Sequence, residues 1–344
     1  MGSLIMLSES RSSLEANSLH HYTRLLRPYL ADPGVTELCL QKPGEFYLED
    51  SGGWRCVPAP FATLAWARHF SRLLATFTDQ RVNDETPLLS ATLPEGERVQ
   101  VVLPPATVKD QVVMAVRRPN QTVWSVGALA ERHFFKPLTS PMPQVTRSGD
   151  DLNGAFAAKD WAKFLALAVK AKLTIVVAGA TGSGKTTLTK ALIQEISPDE
   201  RLISIEDAAE LDLSGQPNSV RLFYSKDDQG RARVSAKQLL EACLRLRPDR
   251  ILLAELRGEE AYYFLRNVSS GHPGSITSIH AGSTALAFEQ LALLVKESVP
   301  GRELAFSDIL SLLHGIVDVV VHCVRCGTAR GVSDVYWRAS EVGN

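Results

Sequence analysis

The chain has 344 residues, of which 45% are hydrophobic and 22% charged, and its formal net charge is −1. This length allows two domains of roughly 100–200 residues each, and the composition is ordinary for a globular protein. The near-zero charge gives no sign of a nucleic-acid or membrane partner, and no run approaches the roughly 18–20 apolar residues that would span a bilayer.

The first part of the sequence predicts a small α+β domain. An amphipathic pattern over residues 19–30 predicts a helix that Pro28 interrupts. Three short alternating segments, separated by turn residues, predict an antiparallel meander. These segments are residues 36–40, 45–48 and 54–57. Apolar residues at helical spacing predict a helix over 62–78, and two further strands follow at 98–103 and 111–116.

Proline, glycine and small polar residues concentrate between residues 137 and 155, and this composition is typical of a linker. We therefore predict an N-terminal α+β domain at residues 1–138, a linker at 139–155 and a second domain at 156–344. In the second domain, predicted helices and apolar strands alternate along the chain. They are helix 158–171, strand 173–178, helix 185–196, strand 202–205, helix 236–246 and strand 250–254. This alternation predicts an α/β domain with a mainly parallel sheet covered on both faces.

A glycine-rich loop joins the strand at 173–178 to the helix that starts at Lys185. The loop matches the phosphate-binding pattern G-x-x-x-x-G-K-[ST] in full, in the strand–loop–helix context that the pattern requires. Such a loop turns backbone N–H groups toward phosphate oxygens, and the helix N-terminus adds free donors. Lys185 is expected to bridge the terminal phosphates of ATP, and the Thr186 hydroxyl to hold Mg²⁺. The predicted nucleotide-binding residues are Gly179, Ala180, Thr181, Gly182, Ser183, Gly184, Lys185, Thr186 and Thr187.

Acidic residues follow two apolar strands of the second domain. Glu206 and Asp207 end one strand, and Glu255 follows another. The carboxyl ends of strands in a doubly wound sheet line the ligand crevice, so these acids are expected to face the phosphates. Hydrolysis needs a group that orients water, and we predict Glu206 and Glu255 as catalytic acids, either of which is a candidate base. The predicted metal ligands are Thr186, Glu206, Asp207 and Glu255. Strand-end acids also serve as helix caps or solvated loop charges.

Four sequence boxes occur in order in the second half of the chain. They are the phosphate loop at 179–186, Ile-Glu-Asp-Ala-Ala-Glu at 205–210, the Glu255 strand within 247–257, and Gly-His-Pro-Gly-Ser-Ile-Thr-Ser-Ile-His-Ala at 271–281. With this set the chain resembles the secretion and traffic ATPases, a family of hexameric motors. It looks most like the branch that serves type IV secretion and conjugation.

The resemblance implies a RecA-like P-loop NTPase domain, preceded by the smaller α+β domain, that binds ATP and Mg²⁺. It makes His280 a contact for the γ-phosphate, although a histidine after a β-branched stretch is by itself more often structural. It also makes Arg257 a group that senses phosphate or pairs with an acid. An arginine of the N-terminal domain is expected to reach the phosphates across the domain cleft. Arg117 fits that position best, and Arg118 is the alternative.

The implied function is that of a cytoplasmic ATPase motor, a homo-hexamer that other secretion components hold at the inner membrane. ATP hydrolysis would move a secreted DNA or protein substrate or assemble a pilus. Arg245 and Arg247 are interpreted as solvated or interface charges, although a neighbouring subunit could use one as an arginine finger.

Three alternatives are weaker. A type II secretion motor is disfavoured because the paired Cys-x-x-Cys insertion of many type II ATPases is missing and the N-terminal region is short for that branch. A type IV pilus motor stays an alternative, but residues 246–251 and 271–275 fit the type IV secretion branch better. A P-loop kinase would need an acceptor pocket and an Arg-rich lid, and the sequence indicates neither. A scaffold without hydrolysis is disfavoured because the catalytic residues are present.

The five cysteines are scattered, and their odd number favours a reducing, cytosolic setting. Cys323 and Cys326 have the spacing of half a zinc site. No second pair completes a tetrahedral site, and an apolar run precedes them, so we interpret both as strand residues.

Overall fold

The computed structural model describes residues 18–119, 124–136, 145–225 and 230–341. Within them the chain forms an antiparallel six-stranded sheet in its first part and a mainly parallel seven-stranded sheet in its second part. The predicted architecture, a smaller α+β domain before an α/β domain, is confirmed. None of the helices in these ranges is long and apolar enough to cross a membrane.

The N-terminal domain contains all of the predicted helices and strands. Its elements are α1 (described over residues 18–24), α2 (Arg27–Leu30), β1 (Glu37–Leu40), β2 (Glu45–Asp50), β3 (Gly53–Pro58), α3 (Leu64–Phe77), β4 (Leu88–Thr92), β5 (Arg98–Val102) and β6 (Val113–Arg117), followed by α4 (Val126–Glu131). The sequence does not predict β4, because Leu-Leu-Ser-Ala-Thr shows no clear alternation of apolar and polar residues.

The N-terminal sheet has the strand order β3-β2-β1-β6-β5-β4, and every neighbouring pair is antiparallel. On one face, Phe70 and Leu74 of α3 share a hydrophobic cluster with Leu38, Phe46 and Met114 of the sheet. The opposite face contributes to the core of the second domain. Its contributing side chains are Cys39, Tyr47, Val102, Val113 and Ala115. Because both faces are apolar, the sheet is sandwiched between its own helices and the second domain.

The second domain is built from strands and helices that alternate as predicted. Its elements are α5 (Val145–Ala157), α6 (Trp161–Lys170), β7 (Ile175–Gly179), α7 (Lys185–Gln194), β8 (Leu202–Glu206), β9 (Ser219–Phe223), α8 (Ala236–Cys243), β10 (Arg250–Leu256), α9 (Glu260–Ser269), β11 (Ile276–Ile279), α10 (Thr284–Glu297), α11 (Val299–Arg302), α12 (Phe306–Ile316), β12 (Val319–Cys326), β13 (Ala329–Trp337) and α13 (Arg338–Glu341). The strand order is β13-β12-β7-β11-β10-β8-β9, and only the β12–β13 pair is antiparallel.

Helix α5 occupies much of the segment that the sequence predicts as a linker. Leu152, Ala155 and Phe156 recur at helical spacing and pack into the core, where the Phe156 ring contacts Phe164 and Trp337. Because glycine and polar residues separate these apolar positions, the overall composition of the segment predicts a linker and not a helix. Residues 139–144 of the predicted linker lie outside the described residues, so the domain boundary at residue 138 stays a prediction.

The N-terminal domain contacts the β9 edge of the parallel sheet and the loop before β10. Thr107 forms an antiparallel bridge with Leu222 of β9. Arg247, which precedes β10, donates through Nε and Nη2 to the Glu49 carboxylate at 2.9 and 2.5 Å. The side chain of Arg247 therefore links the two domains at the amino end of β10.

Candidate functional site

The phosphate loop joins the buried strand β7 to α7 at the carboxyl edge of the parallel sheet. Its backbone has positive φ at Gly179 (152°), Gly182 (74°) and Gly184 (100°). A Cβ at Gly179 would lie 2.5 Å from both the Cys323 carbonyl oxygen and Ser183 Oγ, so glycine is required there. Ser183 Oγ is buried and has no hydrogen-bond partner within the described parts of the chain. The loop therefore forms a tight turn directly before the free N–H groups of α7.

Lys185, His280 and Glu255 meet at the mouth of the loop. The Lys185 ammonium donates to the carbonyl oxygens of Gly179 and Ala180 at 2.9 and 3.2 Å. His280 Nδ1 lies 3.3 Å from Lys185 Nζ, and its Nε2 lies 2.8 Å from Glu255 Oε1. Because an ammonium group can only donate, Nδ1 accepts and Nε2–H donates, which is a neutral tautomer of His280. Burial lowers the pKa of Lys185, and the nearby Glu255 carboxylate opposes this shift.

Arg257 connects the acids at the ends of β8 and β10. Its Nε donates to Glu255, and its Nη1 donates to Asp207 Oδ2 at 2.8 Å. The Glu255 side chain is 13% exposed, and its second oxygen faces His280. Arg257 therefore pairs with acids, one of the two roles that the resemblance implies. Cations and acids alternate in one network that runs from Lys185 to Asp207.

Glu206 does not join this network. Its side chain is fully buried, and its oxygens accept hydrogen bonds from Ser204 Oγ and from the backbone N–H groups of Glu210 and Leu211 at 2.7 to 2.8 Å. Arg221 of β9 donates to the same carboxylate through Nε and Nη2 at 3.0 and 2.9 Å. Five hydrogen bonds fill the acceptor positions of both oxygens of this fully buried carboxylate, so the geometry does not support Glu206 as a catalytic acid or metal ligand. It holds β8, β9 and the following loop together.

The predicted metal ligands are not all brought together. Thr186 is exposed at the start of α7, Glu255 lies beside the loop mouth, and Asp207 is paired with Arg257. No group of three or more His, Cys, Asp or Glu side chains in the described ranges is arranged to hold a metal ion. Mg²⁺ needs few protein ligands when a nucleotide supplies phosphate oxygens. Thr186 and Glu255 therefore fit such an ion only in combination with a nucleotide.

Arg117 lies in a cavity between the two domains. Its side chain is 68% exposed, and its Nε is 3.5 Å from Glu37 Oε1. The cavity has a volume of about 320 Å³, and three further arginines line it. They are Arg98, Arg245 and Arg247. Arg118 instead donates to the backbone oxygens of Leu30 and Asp32 at 3.3 and 3.0 Å, so it is held within the N-terminal domain.

The arginine cluster, defined here as Arg98, Arg117, Arg245 and Arg247, lies on the opposite side of the parallel sheet from the phosphate loop. The loop follows the carboxyl end of β7, whereas Arg247 precedes the amino end of the parallel strand β10. Strands of this length separate the two edges by about 15–20 Å. The structure therefore does not bring Arg117 to the phosphate loop of its own chain.

Three further arginines with contacts in this region are missed by the sequence reasoning. Arg221 binds Glu206, and Arg330 donates through Nε to the Gly182 carbonyl oxygen at 2.9 Å. Arg325 lies opposite Arg330 in the β12–β13 hairpin. The sequence gives one indication of the Arg325–Arg330 pair: the two arginines flank the short segment 326–329. Cys323 is buried on the same hairpin and Cys326 is exposed, as free thiols.

Comparison with known proteins identifies relatives that all belong to secretion systems. Residues 142–342 match the family model described as Type II/IV secretion system protein. The chain is 44% identical over 327 residues to the type IV secretion system protein VirB11 of Brucella suis, covering 94% of this chain and 91% of that protein. It is 42% identical over 320 residues to VirB11 of Bartonella quintana, covering 90% of each.

A solved structure agrees with these sequence relatives. The crystal structure of the VirB11 ATPase from the Brucella suis type IV secretion system, in complex with sulphate, superposes with a TM-score of 0.88 at 42% identity. The superposition covers 97% of this chain and 99% of that one, so the similarity includes both domains and the region between them.

Proposed function

The chain belongs to the type II/IV secretion system protein family and is an ATPase of a type IV secretion system, and we propose that it works as a ring of six copies whose nucleotide sites are completed between neighbours. The identities to type IV secretion proteins, 38–44%, favour this function over a pilus motor or a kinase. The observation that carries the proposal of a shared site is the position of the arginine cluster, which lies far from the chain's own phosphate loop.

In this proposal the loop at 179–186 binds the phosphates of ATP through its backbone N–H groups and the start of α7. Lys185, now hydrogen-bonded to loop carbonyl oxygens, turns toward the terminal phosphates. Thr186 and Glu255 would hold Mg²⁺ together with phosphate oxygens, and the ion would neutralise phosphate charge. His280 contacts both Lys185 and Glu255, which supports the proposal that it registers whether a γ-phosphate is present.

Glu255 is the residue we assign to orient the attacking water. Its mostly buried carboxylate lies at the loop mouth, 4.0 Å from Lys185 Nζ and 2.8 Å from His280 Nε2. Arg257 fixes its other oxygen, so the carboxylate has one defined orientation. Glu255 accepts one close hydrogen bond on each oxygen, whereas the fully buried Glu206 carboxylate accepts five and has no acceptor position left for water. Asp207 contributes by holding Arg257 in place.

The arginine cluster is assigned to the nucleotide of a neighbouring copy. Four guanidinium groups around one cavity repel one another. Glu37 offsets Arg117, and Glu49 and Asp249 offset Arg247, but Arg98 and Arg245 have no carboxylate at ion-pair distance in the described parts of the chain. A triphosphate presented by another copy would supply the missing negative charge. In a closed ring every copy uses its loop on one side and its cluster on the other, which is a heterologous contact. Loss of the γ-phosphate would then release the contact between neighbours and allow domain movement.

A mixing experiment tests whether the site is shared. Lys185→Ala and Arg117→Ala each remove one half of the site, and each variant alone is expected to lose at least about 100-fold in turnover. If the two variants are mixed in equal amounts before the ring assembles, random placement leaves about a quarter of the sites with both halves intact. Phosphate release should therefore recover to about a quarter of the wild-type rate.

The matched control is Arg118→Ala, which removes a neighbouring arginine whose hydrogen bonds, within the described ranges, go to backbone oxygens of its own domain. We expect it to keep wild-type turnover. A mixture of Lys185→Ala and Arg117→Ala that stays inactive would show that both residues act within one chain. Full turnover of Arg117→Ala alone would remove the arginine cluster from the mechanism.

We also propose that the ring is held at the inner membrane through other secretion components, where it drives transport of a DNA or protein substrate or pilus assembly. This proposal follows from the relatives, which are named as secretion-system proteins. Flotation of the purified protein with lipid vesicles that contain no protein tests it. Strong flotation would show direct lipid binding instead.

A further inference from the structure

The β12–β13 hairpin projects past the carboxyl edge of the parallel sheet, beside the phosphate loop. Strand β12 pairs in parallel with β7, and Cys323 lies opposite Gly179, the first loop residue. The strand continues to Cys326 and turns back through residues 327–328 into β13. At about 3.3 Å per residue, Arg325 lies roughly 7 Å beyond the level of Gly179, on the side where a nucleotide would bind.

Two arginines of this hairpin lie against the loop. Arg325 and Arg330 are directly opposite each other across the hairpin. Arg330 Nε donates to the Gly182 carbonyl oxygen at 2.9 Å, and its Cδ lies 3.3 Å from the place of a Cβ on Gly184. Arg325 Nη1 lies 3.7 Å from the place of a Cβ on Gly182. Both side chains therefore cover the glycine-rich part of the phosphate loop.

The charges of these two arginines are not balanced by acids of the chain. Arg325 Nε donates to the Gly327 carbonyl oxygen at 2.8 Å, and Arg330 donates to Gly182. Neither has a carboxylate at salt-bridge distance in the portion of the chain that the structure describes. Like charges directly opposite each other weaken an antiparallel pair. By contrast, Lys185 and Arg257 are already close to acids of the site. The hairpin thus holds an uncompensated pair of cations where phosphates are expected.

We propose that Arg325 and Arg330 form a second cationic contact for the polyphosphate of the nucleotide. Arg330 is a positioning residue: it binds the Gly182 carbonyl oxygen on the outside of the loop, which leaves the loop N–H groups directed at the phosphates. Arg325 binds the phosphates themselves. The inference deepens the proposed function and rests on it, because it requires that nucleotide binds at residues 179–186.

Arg325→Glu separates a role in ligand binding from a role in folding. The new carboxylate can pair with Arg330 across the hairpin, so the nucleotide-free protein should melt at the same temperature as the wild type or higher. The Kd for ADP and for a non-hydrolysable ATP analogue should rise about tenfold or more, because a cation near the phosphates becomes an anion. The effect on AMP should be smaller. Titration calorimetry and thermal unfolding give the two readouts.

Two further variants complete the test. Arg325→Gln removes the charge without reversing it and should show an intermediate Kd. Arg72→Gln, a change of an exposed arginine on α3 of the N-terminal domain, is the matched control and should leave the Kd unchanged. An unchanged Kd for ADP in Arg325→Glu overturns the inference. A lower melting temperature that fully accounts for the weaker binding also overturns it.

Lys185→Ala, titrated in parallel, distinguishes a failure of the hairpin inference from a failure of the proposed function. If this variant weakens binding and Arg325→Glu does not, the hairpin inference fails and the nucleotide site at the loop stands. If neither variant changes the Kd, nucleotide binds elsewhere and the proposed function fails as well. Weaker binding in both, with an unchanged melting temperature, supports both.

Discussion

The two edges of the parallel sheet both collect cations but differ in how those cations are balanced. At the carboxyl edge, Lys185 lies near Glu255 at the end of β10, and Arg257 pairs with Glu255 and with Asp207 after β8. Only the hairpin arginines, Arg325 and Arg330, lack an acid at this edge among the described residues. At the amino edge, Arg98 and Arg245 have no carboxylate at ion-pair distance among residues 18–119, 124–136, 145–225 and 230–341. Glu37, the acid that faces their cavity, is 5% exposed and has one buried oxygen without a hydrogen-bond partner.

This difference indicates which edge is complete within one chain. The carboxyl edge already has a loop for phosphates, a carboxylate beside it and a histidine that connects the loop lysine to that carboxylate. The amino edge has cations around a cavity of about 320 Å³ but few acids to balance them. The carboxyl edge therefore holds the groups for chemistry on a nucleotide at its own loop, and the amino edge holds cations that can receive negative charge from a neighbouring copy. Three substitutions test this contrast.

The largest effect is expected for Glu255→Gln at the carboxyl edge. If Glu255 orients the water, the amide should lower turnover at saturating ATP by about 100- to 10,000-fold, because a positioned acid–base group contributes that much. The amide keeps the size of the side chain, so nucleotide affinity should change far less than turnover. Steady-state phosphate release and nucleotide titration measure the two quantities.

The control for this substitution is Glu210→Gln. Glu210 is an exposed acid of the box at 205–210, and only its backbone N–H contacts the buried network. It should keep wild-type turnover. Near-normal turnover of Glu255→Gln would show that Glu255 does not orient the water. The carboxyl edge of one chain would then not be sufficient for hydrolysis, and the contrast between the two edges would fail.

The second effect concerns Glu206, which lies at the same edge but is bonded inward. Glu206→Ala leaves the Arg221 guanidinium and two backbone N–H groups without their acceptor, and it should lower the free energy of unfolding by about 3 kcal/mol. Urea unfolding followed by circular dichroism measures this loss. Asp207→Ala, at a half-buried neighbour, should cost less than about 1 kcal/mol. A stable Glu206→Gln variant with turnover as low as that of Glu255→Gln would return Glu206 to the catalytic site.

These two acids show what local sequence can predict. The phosphate loop is eight consecutive residues, so its pattern and its place between strand and helix are readable, and the strand ends place both acids at the correct edge. Whether Glu206 or Glu255 can face a nucleotide depends on Arg221, which binds Glu206 from a different strand fifteen residues away. No local pattern predicts that contact.

The N-terminal domain illustrates the same limit on a larger scale. Its meander, helix and strands follow from alternation and helical spacing, and they are confirmed. The edge at which Arg117 lies depends instead on how this domain docks against β9, through contacts such as Thr107 with Leu222. Such contacts join residues more than a hundred positions apart, as the hydrogen bond from Thr107 to Arg221 does. Helix α5 is not predicted for a related reason: its few apolar residues form a core only by packing with Phe164 and Trp337, which lie elsewhere in the chain.

The last effect is expected at the amino edge and depends on pH. Burial raises the pKa of Glu37 to about 7, and Arg117 opposes this shift only in part. Since the carboxyl group of the unfolded chain has its ordinary pKa of 4.5, the folded state binds the proton more tightly. Stability is therefore full below about pH 4.5 and is lost as the pH rises through 7, by about 3 kcal/mol in total.

Glu37→Gln removes this loss, because the amide stays neutral. At pH 8 the variant should be more stable than the wild type by about 3 kcal/mol, and at pH 5 by less than about 1 kcal/mol. Urea unfolding at the two pH values measures both differences, and Glu85→Gln, at an exposed acid of the same domain, should match the wild type at each. A Glu37→Gln variant that is less stable at pH 8 would show that ionised Glu37 is well paired with Arg117. The amino edge would then balance its own charges, and the case that it receives the phosphates of a neighbour would lose its electrostatic basis.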